Sequence, residues 1–80
     1  MKSIRVKFTF PAKLIHRPII HDLSHEFEIV TNIRRAHIRD DMGWVVLEIQ
    51  GKEEVLERGI KWAKSHGVRV DLINGDVLEG

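Results

Sequence analysis

Apolar and polar residues alternate from the start of the chain. Ile4, Val6, Phe8 and Phe10 share one phase, and Ser3, Arg5, Lys7 and Thr9 share the other. That is the pattern of a strand with one face on a core. Pro11 offers no N–H and closes the pairing, so residues 3–10 are expected as strand and 12–17 as loop. The period then changes. Pro18 suits a first helical turn, where its missing donor is not needed, and Ile19, Ile20, Leu23 and Phe27 recur at helical spacing. A short helix is predicted over 18–26. Period two returns from Phe27: Ile29, Thr31 and Ile33 share one phase, Ala36 and Ile38 the opposite. The switch falls at Arg34–Arg35, where a β-bulge would absorb it; a bent or irregular strand is the alternative. Asp40 to Gly43 reads as a turn.

The second half repeats the scheme. Trp44 to Gln50 is a predicted strand with Val45, Leu47 and Ile49 on one face, pairing antiparallel with its predecessor. Residues 51–66 are the strongest helix. Glu53 and Glu54 occupy the first turn, where the dipole favours acids, and Val55, Leu56, Gly59, Ile60 and Ala63 form the stripe. Glu54–Arg58 and Glu57–Lys61 are favourably oriented i,i+4 pairs. Gly59, which costs about 1 kcal/mol inside a helix, implies close approach to the sheet. Gly67 is placed for a left-handed cap. Val68, Val70 and Leu72 alternate with Arg69, Asp71 and Ile73 as a last strand; Asn74–Gly75 reads as a turn and 76–80 as a tail. The order β-α-β-β-α-β with right-handed crossovers gives an α+β, ferredoxin-like sandwich. Its four-stranded antiparallel sheet has order 4-1-3-2, with two helices on one face. The chain is one domain, 1–80, with its core at about 3–73. The strand carrying Asn32 to Ile38 lies at an edge, a template for a partner strand.

Composition narrows the function classes. Thirteen basic and twelve acidic residues leave a formal charge of +1, which lacks the excess of a nucleic-acid binder. There is no Cys, so disulfides, thiolate metal sites, iron–sulfur ligation and Cys nucleophiles are excluded. A copper chaperone of this topology needs the missing Cys pair. An RRM needs stacking aromatics on the open sheet face, whereas Phe8 and Phe10 share the core phase. An acylphosphatase needs a Gly-rich phosphate loop; residues 11–17 supply Arg17 and no Gly. No apolar run approaches the roughly 20 residues of a membrane span, Lys2, Arg5 and Lys7 interrupt any signal-peptide core, and a cytoplasmic setting is expected.

The run Asn32-Ile33-Arg34-Arg35-Ala36-His37-Ile38, followed by Gly43 before a strand, resembles the signature of the NIL domain. Phe8-Thr9, Pro18-Ile19-Ile20, Ile60-Lys61-Trp62 and Gly67-Val68-Arg69-Val70 follow the family in order, so the similarity spans roughly Ser3 to Ile73. Arg34 stands where the motif carries an apolar residue. The NIL domain is ACT-like. It ends the ATPase subunit of bacterial methionine ABC importers and also occurs beside ferredoxin modules. The resemblance implies a regulatory domain that binds methionine or a related amino acid near a homodimer interface and acts on an ABC transporter or ferredoxin-type partner. An interaction adaptor for a ferredoxin-linked or sulfur-assimilation enzyme, without its own ligand, is the alternative. By position the ligand-contacting Asn falls on Asn32, whose amide can serve both carboxylate and ammonium; Ile33, Arg34 and Ala36 adjoin it.

The loop Pro11 to Arg17, with the N–H groups of Ile19 and Ile20, could receive a carboxylate at a helix N-terminus, and Arg34 and Arg35 could pair with an anion bidentately. Each site has a plainer reading: Asn32 bonding its own backbone at a bulge, an ordinary strand-to-helix connection at 11–17, and solvated edge arginines at Arg34 and Arg35. His21 and His25 lie four apart, a metal-compatible spacing, but lack a third ligand and read as surface histidines. Trp44 and Trp62 read as packing at the core rim. Glu26, Asp40 and Asp41 mark no acid/base pair. No catalytic residue, metal, cofactor, nucleic acid or membrane insertion is expected.

Overall fold

Residues 1–73 are described in the computed structural model of the chain; the predicted turn at Asn74–Gly75 and the tail lie outside them. The elements are β1 (Lys2–Pro11), a single 3-10 turn (Ala12–Leu14), α1 (Ile19–Phe27), β2 (Val30–Ile38), β3 (Met42–Gly51), α2 (Glu53–Ser65) and β4 (Arg69–Leu72). The strands form one antiparallel sheet in the order β2-β3-β1-β4, the predicted order read from the other edge. Period-two alternation governs the sheet. Val6, Phe8, Phe10, Val45, Leu47 and Ile49 are buried towards the helices with Leu14, Ile19, Leu23, Ile29, Leu56, Ala63 and Val68.

The bulge falls where the phase switch requires it. Ile33 opposes Leu47 and Arg35 opposes Val46, so Arg34 is the extra residue without a partner. The hairpin closes with the Arg39 N–H donating to the Met42 carbonyl at 2.8 Å. Gly67 has φ +99° and ends α2 as expected. At the end of α1 the same left-handed region is filled by Glu28, with φ 53°.

Several details differ from the sequence expectation. Pro18 is the N-cap of α1, so the helix runs one residue later, to Phe27. Gly59 does approach closely, but its neighbours are Ile29, just before β2, and Leu23 of α1; the two helices converge there. The pairs Glu54–Arg58 and Glu57–Lys61 do not close, and Glu53 meets Lys2 at 3.2 Å instead. Exposed long side chains gain little from such pairing. Leu72 shares the core-facing side with its partner Val6 yet is 58% exposed, because β4 is short and stands at the sheet margin. Trp44 lies on the face away from the helices, stacked with His37 and under the Lys7 ammonium at 5.1 Å. Trp62 keeps to the helix side, edge-on to Phe27 at 5.8 Å.

Candidate functional site

The chain leaving β1 must turn back over the sheet to begin α1. The 3-10 turn does this by burying Leu14 under the fold, with Ile15 half-buried beside it. Pro18 then fixes the entry to α1, and the Asp22 N–H closes the first turn on the Pro18 carbonyl at 2.9 Å. Between this corner and the end of β2 a cavity of about 220 Å³ remains open. Its walls include Phe10, Ile15, Ile19, Ile20, Ile38 and Val45, with Arg17 and His21 at the rim. Gly43 shapes it: a Cβ there would lie 2.8 Å from Ile38 Cδ1 and 3.1 Å from Ile15 Cδ1. Its absence lets both isoleucines lie down on the sheet.

This volume falls below the roughly 300–1,000 Å³ typical of drug-sized ligands. The cavity suits a molecule of amino-acid size with an apolar side chain. Its polar resources are the Arg17 guanidinium and the start of α1. First-turn N–H groups have no intrahelical acceptor; that of Ile19 is taken by the Arg17 carbonyl at 2.8 Å, leaving those of Ile20 and His21 to face an anion.

The six ligand residues expected from sequence fall in three places. Ile19 and Ile20 line the cavity. Ile33 and Ala36 oppose Leu47 and Val45 and so sit on the helix side of β2, where α1 leaves them exposed. Asn32 opposes Glu48 and lies on the outer face, exposed; its amide makes no hydrogen bond with a described residue. Arg34, at the bulge, borders a separate groove on that outer face with Arg5, Arg35, Val46 and Ile73. Sequence reasoning missed Phe10, Ile38 and Val45 as walls, since each reads as plain core or edge strand; Leu14, Ile15 and Arg17 lie in the 11–17 loop that reads, with Ile19 and Ile20, as a candidate carboxylate site. The pair Leu14-Ile15, two aliphatic residues inside that loop, is the signal for its apolar wall.

Among the described residues no three His, Asp or Glu side chains gather to hold a metal. His21 and His25 stack in parallel at 5.9 Å. No helix among these residues is long and apolar enough to cross a membrane.

A four-stranded antiparallel sheet in this order, with two helices on one side, defines the class of ferredoxin-like α+β domains. Solved structures agree. The C-terminal domain of an ABC transporter ATP-binding protein from Enterococcus faecalis superposes with a TM-score of 0.78 at 19% identity, over 88% of this chain and 82% of that one. Two de novo designed proteins share the fold: Foldit4, with TM-score 0.57, 12% identity and 89% and 91% of the two chains covered, and Ferredog-Diesel, with 0.53, 16%, 90% and 84%. The sequence profile of the NIL domain matches residues 4–72; the chain belongs to the NIL domain family. No curated protein sequence matches the chain.

Proposed function

We propose that this domain is a regulatory binding module, and not an enzyme, which takes methionine or a related small amino acid and acts on a partner protein or an attached domain in the cytoplasm. The helix-side cavity carries this reading. Aliphatic and aromatic walls accept an unbranched thioether side chain, and Arg17 with the start of α1 receives the carboxylate. A second copy completes the site from the β2 margin, where Ile33 and Ile38 remain 56% and 55% exposed. The likeness to the C-terminal domain of an ABC transporter ATP-binding protein supports a transporter as partner.

Calorimetric titration with methionine, homocysteine and a panel of other amino acids tests it. Saturable heat is expected for the sulfur-containing members, and Arg17→Gln weakens it. No heat and no chemical-shift change at millimolar ligand would sink the proposal. Loss on Asn32→Ala with Arg17→Gln unaffected would move the amino acid from the cavity to the sheet margin between copies.

A second reading follows from the placement of Asn32 and Arg34 on the face away from the cavity. In it the domain is an adaptor for a ferredoxin-linked or sulfur-assimilation enzyme and needs no ligand. Co-purification of such an enzyme from the native host, with silent amino-acid titrations, favours it.

A further inference from the structure

In an unbroken strand, Arg34 and Arg35 would point to opposite faces. The bulge removes that constraint. Arg35 is directed by its partner Val46 onto the outer face, and Arg34 reaches the same groove. Arg5 enters from β1, two strands away, and is held by Glu48 at 3.8 Å. Val46 forms the floor: it is short and branched, set between the larger Trp44 and Glu48 on β3. Ile73, whose N–H donates to the Arg5 carbonyl at 3.0 Å, closes the far side. The groove holds about 340 Å³. The side chains of Arg5, Arg34 and Arg35 all border it, and neither Arg34 nor Arg35 forms an ion pair with a described residue. The groove opens on the side of the sheet opposite the amino-acid cavity.

We infer that this groove is a second binding site, for a small multiply charged oxyanion: a phosphate or pyrophosphate ester, or a di- or tricarboxylate. Guanidinium forks match the geometry of both oxyanion kinds, and the apolar patch of Val46 and Ile73 takes the uncharged part of the ligand. A solvated pair of edge arginines has no need of a third arginine from β1 or of an apolar floor. Only the bulge, which sends two consecutive arginines to one side, makes the convergence possible. The site is independent of the amino-acid reading above.

The test is a titration of the isotope-labelled full chain with pyrophosphate and, separately, with citrate, at constant ionic strength against sodium chloride. Backbone amide shifts are followed throughout. Saturable changes centred on Arg5, Arg34, Arg35, Val46 and Ile73 are expected for at least one anion, and the preferred anion tells phosphate from carboxylate ligands. Arg35→Gln should weaken that binding about tenfold, as loss of one charge-assisted contact does, while Lys61→Gln on α2 leaves it unchanged. The methionine titration of Arg35→Gln should match that of the parent, which separates the two sites. Unsaturable shifts, changes spread equally over the lysines of α2, or equal weakening by Lys61→Gln would overturn the inference. So would tighter binding of a single-stranded oligonucleotide than of either anion on this face at about 150 mM salt, where nonspecific phosphate contacts are weakened.

Discussion

A Cβ placed on Gly59 would lie 2.7 Å from Ile29 Cδ1 and 2.9 Å from Leu23 Cδ1, both on fully packed side chains. Alanine gains about 1 kcal/mol of helix propensity but overpacks the core at a cost of about 1–3 kcal/mol. Gly59→Ala is therefore expected to destabilise the domain by up to about 2 kcal/mol on urea unfolding, against the propensity scale. Gly43→Ala should behave differently. Its new methyl crowds the flexible ends of Ile38 and Ile15 and meets the His37 carbonyl oxygen at an ordinary 3.4 Å, so the fold survives, but both isoleucines are pushed into the cavity. Weaker methionine binding with an almost unchanged unfolding midpoint is the expected result. At this scale much was legible. Alternation alone named Val6, Phe8, Phe10, Val45, Leu47 and Ile49 as one inward-facing set. The same parity puts Asn32 opposite to Thr31 and Ile33, hence away from the helices. The cavity walls were not legible, because a core residue and a wall residue differ only in whether the neighbouring element leaves a gap.

Among the elements, β2 is where local rules and tertiary structure meet most closely. Its phase switch predicted the bulge, and the bulge is there, at Arg34. Deleting Arg34 joins the two phases into one: Ile33 and Ala36 would then flank Arg35 in regular alternation. The shortened chain is expected to fold with the same sheet order, measured by amide shifts outside β2. It should lose the paired arginines of the outer groove and, with a straighter margin, aggregate at lower concentration in light scattering, since bulges and charges guard sheet edges. The boundaries of α1 were less legible. Pro18 favours early helical positions in general, but here its ψ of 61° leaves it as the cap, and the helix ends by placing Glu28 in a conformation usually given to Gly or Asn. Nothing in the local sequence announces that exit; the burial of Ile29 against the facing helix sets it.

For the whole molecule, size is the governing constraint. A chain of 80 residues buries roughly 60% of its unfolded surface, so any further apolar area that a second copy covers adds noticeably to stability. The exposed residues Val30, Ile33, Ile38 and Met42 all border the β2 side of the sheet. A dimer built there is expected in light scattering at about 100 μM, and its melting temperature should rise with protein concentration, as association linkage requires. A monomer at that concentration with a concentration-independent melting temperature would leave the cavity open to solvent on its β2 side. The topology was readable in full from the order of periods, because right-handed crossovers admit few alternatives. Which face carries chemistry was not, since both faces of this sheet present grooves and tertiary packing alone decides where the helices stop covering it.

The two indoles stand on opposite sides of the sheet, Trp44 beside Lys7 and His37, Trp62 against Phe27 and His66. Each is thus a resident optical probe of its own side. In a Trp62→Phe chain the remaining emission reports events on the arginine-lined surface, and in a Trp44→Phe chain it reports changes transmitted through the helix pair. Fluorescence on unlabelled protein can then assign any newly found binder to a side before its position is mapped.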